Sequence, residues 1–297
     1  MKNCKIITLL LVLSLTASLS AQDGLALMKT GHGARQTGIG EAVVSIANTV
    51  NGSHYNPASI RSINKFTASF GHTEYWDNIR LESGFFATPL TSNLNLHGGI
   101  RFASVDSLEA RINPNEQPDS YFDFHDISVK TGITYNNSEK LAFGLSLGFF
   151  FEKNGRWNGS AFNADLGLQY QASEKIQLGA AATNLGSSFQ LSSGGDIISN
   201  EISLPTRYSV GGNYQLDKFL TALDLVILDD ELRVHVGAET QIHEMFEFRA
   251  GYMFNYDSKN LSVGTTFRKR NIKIDYAFVP YSNDLGSTHL FNFTFSI

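Results

Sequence analysis

The second half of the chain, from about residue 140 to residue 297, is a series of short segments in which apolar side chains alternate with small or polar ones. One segment carries Leu or Phe at every second position from Leu141 to Phe151, with Ala, Gly or Ser between them as far as Gly148. The final segment repeats this pattern from Phe291 to Ile297. Because successive side chains of a strand point to opposite faces, each segment has one continuous hydrocarbon face. The pattern predicts an all-β fold, a transmembrane antiparallel barrel whose wall separates lipid from a polar lumen.

The N-terminus has the pattern of a secretory signal peptide. Lys2 and Lys5 precede the apolar run Ile6–Leu15, which is too short to span a bilayer as a helix, and small residues follow. We predict cleavage after Ala21, which would also remove Cys4, the single cysteine of the sequence. The mature chain would then contain no thiol nucleophile, disulfide or cysteine–zinc site. An export signal followed by strands indicates the outer membrane of a Gram-negative cell.

The charge balance argues against binding to nucleic acid. The chain has 23 basic and 28 acidic residues, and loss of Lys2 and Lys5 leaves 21 against 28, a formal charge of about −7. A protein that neutralises phosphates needs an excess of Lys and Arg instead. The abundant residues are Gly (26), Phe (22) and Tyr (11), which suit barrel walls and interfacial aromatic girdles.

We divide the chain into a signal peptide (1–21), an N-terminal hatch or plug (22–64) and a barrel (65–297). The hatch segment is rich in Gly and other small residues, and Pro57 near its end excludes a central strand there. The number of predicted strands is about fourteen, an even number as bacterial barrels require. The predicted strands are 65–73, 79–87, 95–104, 125–135, 140–151, 160–171, 176–183, 206–215, 218–228, 231–241, 245–253, 259–267, 271–280 and 288–297.

The connections between these strands alternate in length. If the hatch lies at the periplasmic end, the two long connections, 105–124 and 184–205, both fall outside the cell. The connections on the periplasmic side are mostly tight turns, at 136–139, 172–175, 216–217, 242–244 and 268–270. Long external loops and short periplasmic turns are the asymmetry expected of such a barrel.

Charged residues in the predicted strands fall on the polar faces. An Arg or Lys that faced lipid near the membrane midplane would cost about 2–4 kcal/mol, so we place all of them in the lumen. There, opposite charges on neighbouring strands can pair. We favour a structural network over the alternative, a path for a substrate. The residues are Arg233, His235, Glu239, Glu247, Arg249, Lys273 and Asp275.

The sequence shows no catalytic residue, metal site or cofactor site. Gly144–Gly148 matches the G-x-S-x-G pattern of serine hydrolases, but it lies within a strand rather than at a strand–helix turn. His243–Glu247 lacks the second His of the zinc-binding helix. Asp119, Asp123 and Asp126 lack the calcium-loop spacing, and we interpret them as solvated charges around a long outer loop. We expect a protein that is not an enzyme.

Two motifs in the hatch segment resemble the start of the PorV/PorQ family of outer-membrane proteins. They are Gly33–Ala42 and His54–Ala58, and the same pattern resembles the wider group of FadL-type transporters. Further along, Thr183–Gly186 and Leu204–Arg207 also resemble PorV-type segments on either side of an external loop. The resemblance implies a barrel of fourteen strands with an N-terminal hatch.

Within the hatch we single out Gly38, Gly40, Asn56, Pro57 and Ala58 as residues with a structural or gating role. Pro57 restricts the residues before it to extended geometry, and Asn56 can hydrogen-bond nearby backbone and cap a turn. Gly38 and Gly40 permit close packing or a positive φ angle. Together these residues would fix where the hatch chain enters the first strand.

The resemblance implies two rival functions. A PorV-like protein would support type IX protein secretion and contact secretion machinery or exported proteins. A FadL-like protein would instead carry a hydrophobic small molecule across the outer membrane. A third possibility is a soluble, secreted all-β protein, whose apolar faces would be covered by a second sheet. For either membrane protein we expect outer-membrane lipid as a partner, a monomer, and no nucleic acid.

Overall fold

The computed structural model describes residues 25–47, 49–75, 79–112, 114 and 116–297, so the predicted signal peptide (1–21) lies outside the described residues. The described chain contains sixteen antiparallel strands in one sheet. They are β1 Thr67–Glu74, β2 Arg80–Pro89, β3 Leu94–Ala110, β4 Ser120–Asn136, β5 Leu141–Asn154, β6 Trp157–Gln171, β7 Ile176–Gly186, β8 Ser192–Ser193, β9 Asp196–Ile197, β10 Arg207–Leu216, β11 Phe219–Leu228, β12 Glu231–His243, β13 Phe246–Phe254, β14 Leu261–Lys269, β15 Ile272–Pro280 and β16 Ser287–Ser296.

Fourteen of these strands close into a barrel, which confirms the predicted fold class. Strand β1 pairs with β16 along its whole length, from Thr67 opposite Ser296 to Glu74 opposite His289. Strand β10 pairs directly with β7, so the short strands β8 and β9 form a hairpin outside the wall. Closure leaves no strand edge with unpaired backbone N–H and C=O groups, and a sheet can span a lipid bilayer only under this condition.

The outer face of the barrel is an exposed apolar belt. On β5, Leu147 is 62% exposed, whereas its neighbours Ser146 and Gly148 are buried towards the lumen. The same alternation runs around the wall, and a belt of this kind matches a lipid environment. The soluble alternative required a second sheet over this face, and the described chain forms a single closed sheet. No described helix is long and apolar enough to cross a membrane.

The two long connections contain more strand than the sequence predicted. Strands β3 and β4 pair as far as Ala110 and Ser120, so most of the predicted loop 105–124 is a raised hairpin. The ladder continues through one irregularity between Val105 and Leu108. Above the membrane both faces of a hairpin meet water, so the hydrophobic alternation that marks the strands is lost there. The other connection, predicted as loop 184–205, carries the hairpin β8–β9. We call the end of the barrel with these two connections the outer end, and the opposite end the inner end.

The hatch fills the lumen with short elements. It contains the helices α1 Ala26–Lys29 and α2 Ala34–Gly38 and the 3-10 helices Val50–His54 and Pro57–Ser62. Isolated helices of this length are not stable on their own, so contacts with the wall must hold them. The hatch backbone therefore fills the interior of the barrel together with the side chains that point inward from the wall.

Glycines of the wall make room for the hatch backbone. A Cβ atom at Gly237 would lie 2.1 Å from the carbonyl oxygen of Ile39, and one at Gly251 would lie 2.1 Å from the nitrogen of Gly40. Gly40 itself has a φ angle of 73°, which few other residues adopt. Both wall glycines occupy lumen positions of their strands, where the alternating pattern allows a small residue. The hatch is thus seated in a groove of the wall that side chains would fill.

We predict that Gly251→Ala will displace the hatch but leave the barrel closed. The added methyl group would overlap Gly40, and such overpacking costs about 1–3 kcal/mol. The hatch should then become sensitive to trypsin at Arg35, while the folded barrel keeps its heat-modifiable gel mobility. Gly84→Ala is the matched control, because its nearest neighbour would be 3.7 Å away. Equal trypsin resistance of both variants would contradict the prediction.

Candidate functional site

The predicted Asn-Pro-Ala motif forms a buried corner between hatch and wall. The Oδ1 atom of Asn56 accepts a hydrogen bond from the backbone N–H of Ala58 at 2.9 Å, which caps the second 3-10 helix. Its Nδ2 atom donates to the carbonyl oxygens of Val44 at 2.6 Å and Leu168 at 3.1 Å. One fully buried amide therefore joins two parts of the hatch to strand β6.

Pro57 contacts the wall where two glycines lie. Its carbonyl oxygen accepts a hydrogen bond from the Oγ1 atom of Thr134 at 2.6 Å. A Cβ atom at Gly144 would lie 2.3 Å from the carbonyl carbon of Pro57, and one at Gly167 would lie 2.8 Å from its Cδ atom. Gly144 is the first glycine of the hydrolase-like pattern, so close packing of the hatch explains it. Gating by this corner stays a prediction.

A charged network joins the hatch to the inner half of the wall. The side chain of Arg249 is fully buried and lies 3.1 Å from Glu239, 3.3 Å from Asp275 and 3.7 Å from Glu247. From the hatch, Arg35 donates two hydrogen bonds to Glu239, at 3.0 and 2.7 Å. Glu239 and Arg249 are directly opposed across β12 and β13. The structure therefore brings together four of the seven residues that the sequence grouped.

The other three predicted network residues lie elsewhere. His235 lies nearer the outer end, within hydrogen-bond distance of the carbonyl oxygen of Glu41 (3.2 Å) and the hydroxyl of Tyr256 (3.0 Å). Arg233 lies over the ring of Tyr256, 4.4 Å from its centroid. Lys273 lines a polar cavity at the inner end. The lumen thus holds separate groups of charges, because strand β12 spans the barrel and its polar residues meet different parts of the hatch.

Glu41 of the hatch is the centre of the outer group of charges. Its carboxylate is 2.7 Å from the Nζ atom of Lys259 and 3.5 Å from Arg207, and it is 1% exposed. Burial alone would raise the pKa of Glu41, but Lys259 and Arg207 outweigh burial and hold it at about 2. Glu41 therefore ties the hatch to an outer loop and to the start of β10. Glu41 belongs to the motif Gly33–Ala42, but its sequence context alone does not reveal this role.

Asp224 is a further hatch contact that sequence reasoning missed. It accepts hydrogen bonds from the backbone N–H groups of Val43 at 2.6 Å and Val44 at 2.8 Å. A single carboxylate on the lumen face of the otherwise apolar strand β11 is the signal that could have revealed it. Its carboxylate substitutes for the carbonyl partners that the irregular hatch backbone lacks.

A cavity of about 490 Å³ lies on the outer side of the hatch. We call it the outer cavity. Its lining is mostly apolar and combines hatch, wall and outer loops: Leu27, Lys29, Thr30, Tyr75, Ile79, Leu81, Ala103, Val105, Phe124, Asp126, Arg233, Tyr256, Ser258, Lys259 and Tyr281. A volume of about 300–1,000 Å³ with an apolar lining and a few polar groups is typical of small-molecule sites.

The outer cavity borders the largest buried apolar cluster of the described chain. The cluster joins hatch, wall and the β7–β10 connection: Leu25, Leu27, Met28, Leu81, Ala103, Phe150, Ala161, Phe189, Leu191 and Leu204. At the inner end, a polar cavity of about 280 Å³, the inner cavity, lies between Arg35, Asn51, Lys65 and Lys273. The two cavities share no lining residue and contact different parts of the hatch. Apolar space therefore lies on one side of the hatch and polar space on the other.

The three acidic residues assigned to the outer loop have different surroundings. Asp119 and Asp123 are exposed on the raised hairpin, as expected of solvated charges. Asp126 is 0% exposed and lines the outer cavity, so its interpretation as a solvated loop charge was wrong. Asp126 falls within the predicted strand 125–135, and its pairing opposite Ala103 and Glu152 directs it into the lumen rather than into the loop. Among the described residues, no group of three His, Cys, Asp or Glu side chains could hold a metal ion.

Comparisons with known proteins show the fold. No protein-family model and no curated protein matches the sequence. Among solved structures, the monoaromatic hydrocarbon channel CymD is 14% identical with a TM-score of 0.67, over 90% of this chain and 98% of that one. The toluene transporter TodX of Pseudomonas putida is 13% identical with a TM-score of 0.62, over 90% and 97%. A FadL homologue of Pseudomonas aeruginosa is 11% identical with a TM-score of 0.52, over 86% and 95%.

The protein therefore has the fold of FadL-type outer-membrane barrels. This is the wider group that the hatch motifs resemble, whereas the narrower resemblance to the PorV/PorQ family goes beyond what these structures show. The names of these structures describe channels and a transporter, not enzymes.

We predict that Arg249→Met will destabilise the folded protein by about 3–5 kcal/mol, because buried Asp275 loses its basic partner and Glu239 and Glu247 each lose one of two. The midpoint of urea unfolding in detergent micelles measures this change. Arg111→Met is the control, since Arg111 and Glu109 form an exposed ion pair on the raised hairpin. Such pairs contribute about 0–1 kcal/mol. Equal losses in the two variants would show that the buried network is unimportant.

Proposed function

We propose that this protein is a channel that carries small hydrophobic molecules across the outer membrane. The observation that carries the proposal is the apolar outer cavity, about 490 Å³ in volume, directly against the hatch. The barrel fold supports it, because CymD is a monoaromatic hydrocarbon channel and TodX is a toluene transporter. The direction follows from the predicted orientation, with the outer end towards the extracellular medium.

The lining of the outer cavity suits an apolar ligand. Leu81, Ala103 and Val105 present hydrocarbon from strands β2 and β3, and Phe124 adds an aromatic ring from β4. Burial of apolar surface contributes about 25 cal/mol per Å², so such a site can extract a hydrophobic molecule from water. Tyr256 and other outer-loop residues line the same cavity and would form its entrance.

Passage to the periplasm requires the hatch to move. The hatch lies between the outer and inner cavities and is held by buried ion pairs and by hydrogen bonds. The hydrogen bonds include those from the Nδ2 atom of Asn213 to the carbonyl oxygen and Oγ atom of Ser45, both at 3.0 Å. Hydrogen bonds of this kind can be exchanged for bonds to water, each at a modest net cost of about 0.5–1.5 kcal/mol. A ligand would leave through the polar inner cavity once the hatch has shifted.

A role in type IX secretion, as the PorV resemblance implies, stays a prediction. It requires an external surface that docks an exported protein or the secretion machinery. The raised hairpin β3–β4 and the connection that carries β8–β9 are the described outer surfaces that could serve this role. The similarity to hydrocarbon channels favours transport, which we therefore place first.

Filling the outer cavity should block uptake. We expect Ala103→Trp to reduce uptake of radiolabelled toluene towards the level of cells without the barrel, because the indole would occupy the ligand volume. The measurement compares the initial uptake rates of a deletion strain that carries either form at equal abundance in the outer membrane. Ala164→Trp is the control, since Ala164 alternates with the buried Asn163 and Asp165 and faces lipid. Unchanged uptake by the Ala103 variant would refute the proposed site.

A covalent tether between hatch and wall should also stop transport. Cysteines at Ser45 and Asn213, joined by the shortest bridging thiol reagent, would fix the hatch to β10. Uptake should then fall to background and recover on reduction. The control pair replaces Thr67 and Ser296, whose hydroxyls are 3.0 Å apart on β1 and β16, and tethers only the wall. Full transport by the hatch-tethered protein would show that the ligand takes another route.

A further inference from the structure

The charges that line the outer cavity are paired with one exception. Apart from tyrosines, four ionisable residues line it: Lys29, Asp126, Arg233 and Lys259. The three basic residues each have a carboxylate partner: Lys29 pairs with Asp229 at 2.9 Å, Arg233 with Glu231 at 3.1 Å and Lys259 with Glu41 at 2.7 Å. These three basic groups are therefore already engaged, and Asp126 is the one of the four ionisable groups without a partner in the described chain.

Asp126 is buried and unsatisfied. It is 0% exposed, and neither of its carboxylate oxygens has a hydrogen-bond partner among the described residues. Its neighbours across the wall are Ala103 on β3 and Glu152 on β5. Buried polar groups are almost always hydrogen-bonded, so a carboxyl that faces a cavity without a partner indicates a missing donor.

The surrounding ionisable groups favour a cation as the missing donor. Glu152 also faces the lumen, where it is buried, and no ion pair joins it to another of the described residues. The cation on the neighbouring strand, Arg101, is directed at the hatch instead, with its guanidinium 2.9 Å from His54 and 3.4 Å from the hydroxyl of Thr30. Two carboxyl groups, Asp126 and Glu152, therefore face this part of the lumen without a basic partner among the described residues. A cationic ligand would stabilise the ionised form of Asp126, whereas a carboxylate would meet repulsion.

We propose that the outer cavity binds an amphipathic amine, with an apolar body against Leu81, Val105 and Phe124 and a protonated amino group that donates hydrogen bonds to Asp126. This inference rests on the proposed function, since it names the class of molecule that the channel would take. A plain hydrocarbon fits the walls of the cavity but leaves Asp126 unsatisfied. Charge-assisted hydrogen bonds are stronger than neutral ones, so the amino group sets the preference among ligands of equal size.

The test uses the intact barrel, purified in detergent, and four probes with the same ring system. The probes are naphthalene, naphthylmethanol, naphthylmethylamine and naphthoate, and equilibrium dialysis measures the dissociation constant of each. We expect the amine to bind about tenfold or more tightly than the alcohol, as hydrogen bonds to charged groups allow, and naphthoate to bind most weakly. Asp126→Asn should reduce the preference for the amine over the alcohol to within about twofold and leave naphthalene affinity unchanged.

The control variant is Asp106→Asn, which removes one exposed carboxylate from the same hairpin outside the cavity and should keep the amine preference. All variants are measured in the same detergent, so each probe partitions into the micelles to the same extent. This partition therefore does not affect the comparison between variants. Equal binding of amine and alcohol to the native protein, or an amine preference that survives in Asp126→Asn, would overturn the inference. The native protein alone gives the first of these outcomes, so the test does not depend on the folding of the variant.

The same series separates this inference from the proposed function. Binding of naphthalene and the alcohol without an amine preference would leave the hydrophobic channel intact and remove only the amine site. If no probe binds at all, both the channel proposal and the amine site fail. A preference that appears with the amine and is lost in Asp126→Asn supports both.

Discussion

Irregular backbone inside a barrel must have its N–H and C=O groups satisfied, and this requirement shapes the lumen of the protein. The helices of the hatch are only four to six residues long, so they satisfy few of these groups themselves. Polar side chains of the wall supply the missing partners. The Oδ1 atom of Asn292 accepts from the N–H of Ala34 at 2.6 Å, and the Nδ2 atom of Asn95 donates to the carbonyl of Ile60 at 2.8 Å. Small wall residues complete the arrangement by letting the hatch backbone come close.

This mode of attachment divides the lumen into two regions of different chemistry. In the inner half, the hatch is held by buried ion pairs around Arg249, and the adjoining cavity is polar. In the outer half, the hatch ends in apolar residues such as Leu27, which pack against the wall and leave an apolar cavity. In the proposed channel, a hydrophobic molecule would thus meet the apolar cavity first and the polar cavity second.

Much of the fold could be predicted because side chains along a strand alternate between its two faces. The alternation from Leu141 to Phe151 gave the direction of every side chain on β5, and closure into fourteen strands followed from counting such segments. The Asn-Pro-Ala motif was also visible as a corner, since Asn and Pro have strong local preferences. The raised hairpin was missed because strands that are wet on both faces lose the pattern. Asp126 was grouped with the loop charges although it lies within the predicted strand 125–135, and it is the residue of greatest chemical interest in the outer cavity.

The sequence by itself determined that the chain forms a lipid-facing barrel with an inward polar face, because alternation is a local property of neighbouring residues. It also marked a glycine-rich segment at the N-terminus as different from the wall. Only the tertiary structure decided which wall charges meet the hatch, which glycines face it, and that Asp126 lacks a partner. These contacts join residues far apart in the chain, such as Arg35 and Glu239, so they cannot be predicted from a pattern of neighbouring residues. Their positions depend on how the hatch folds inside the closed wall.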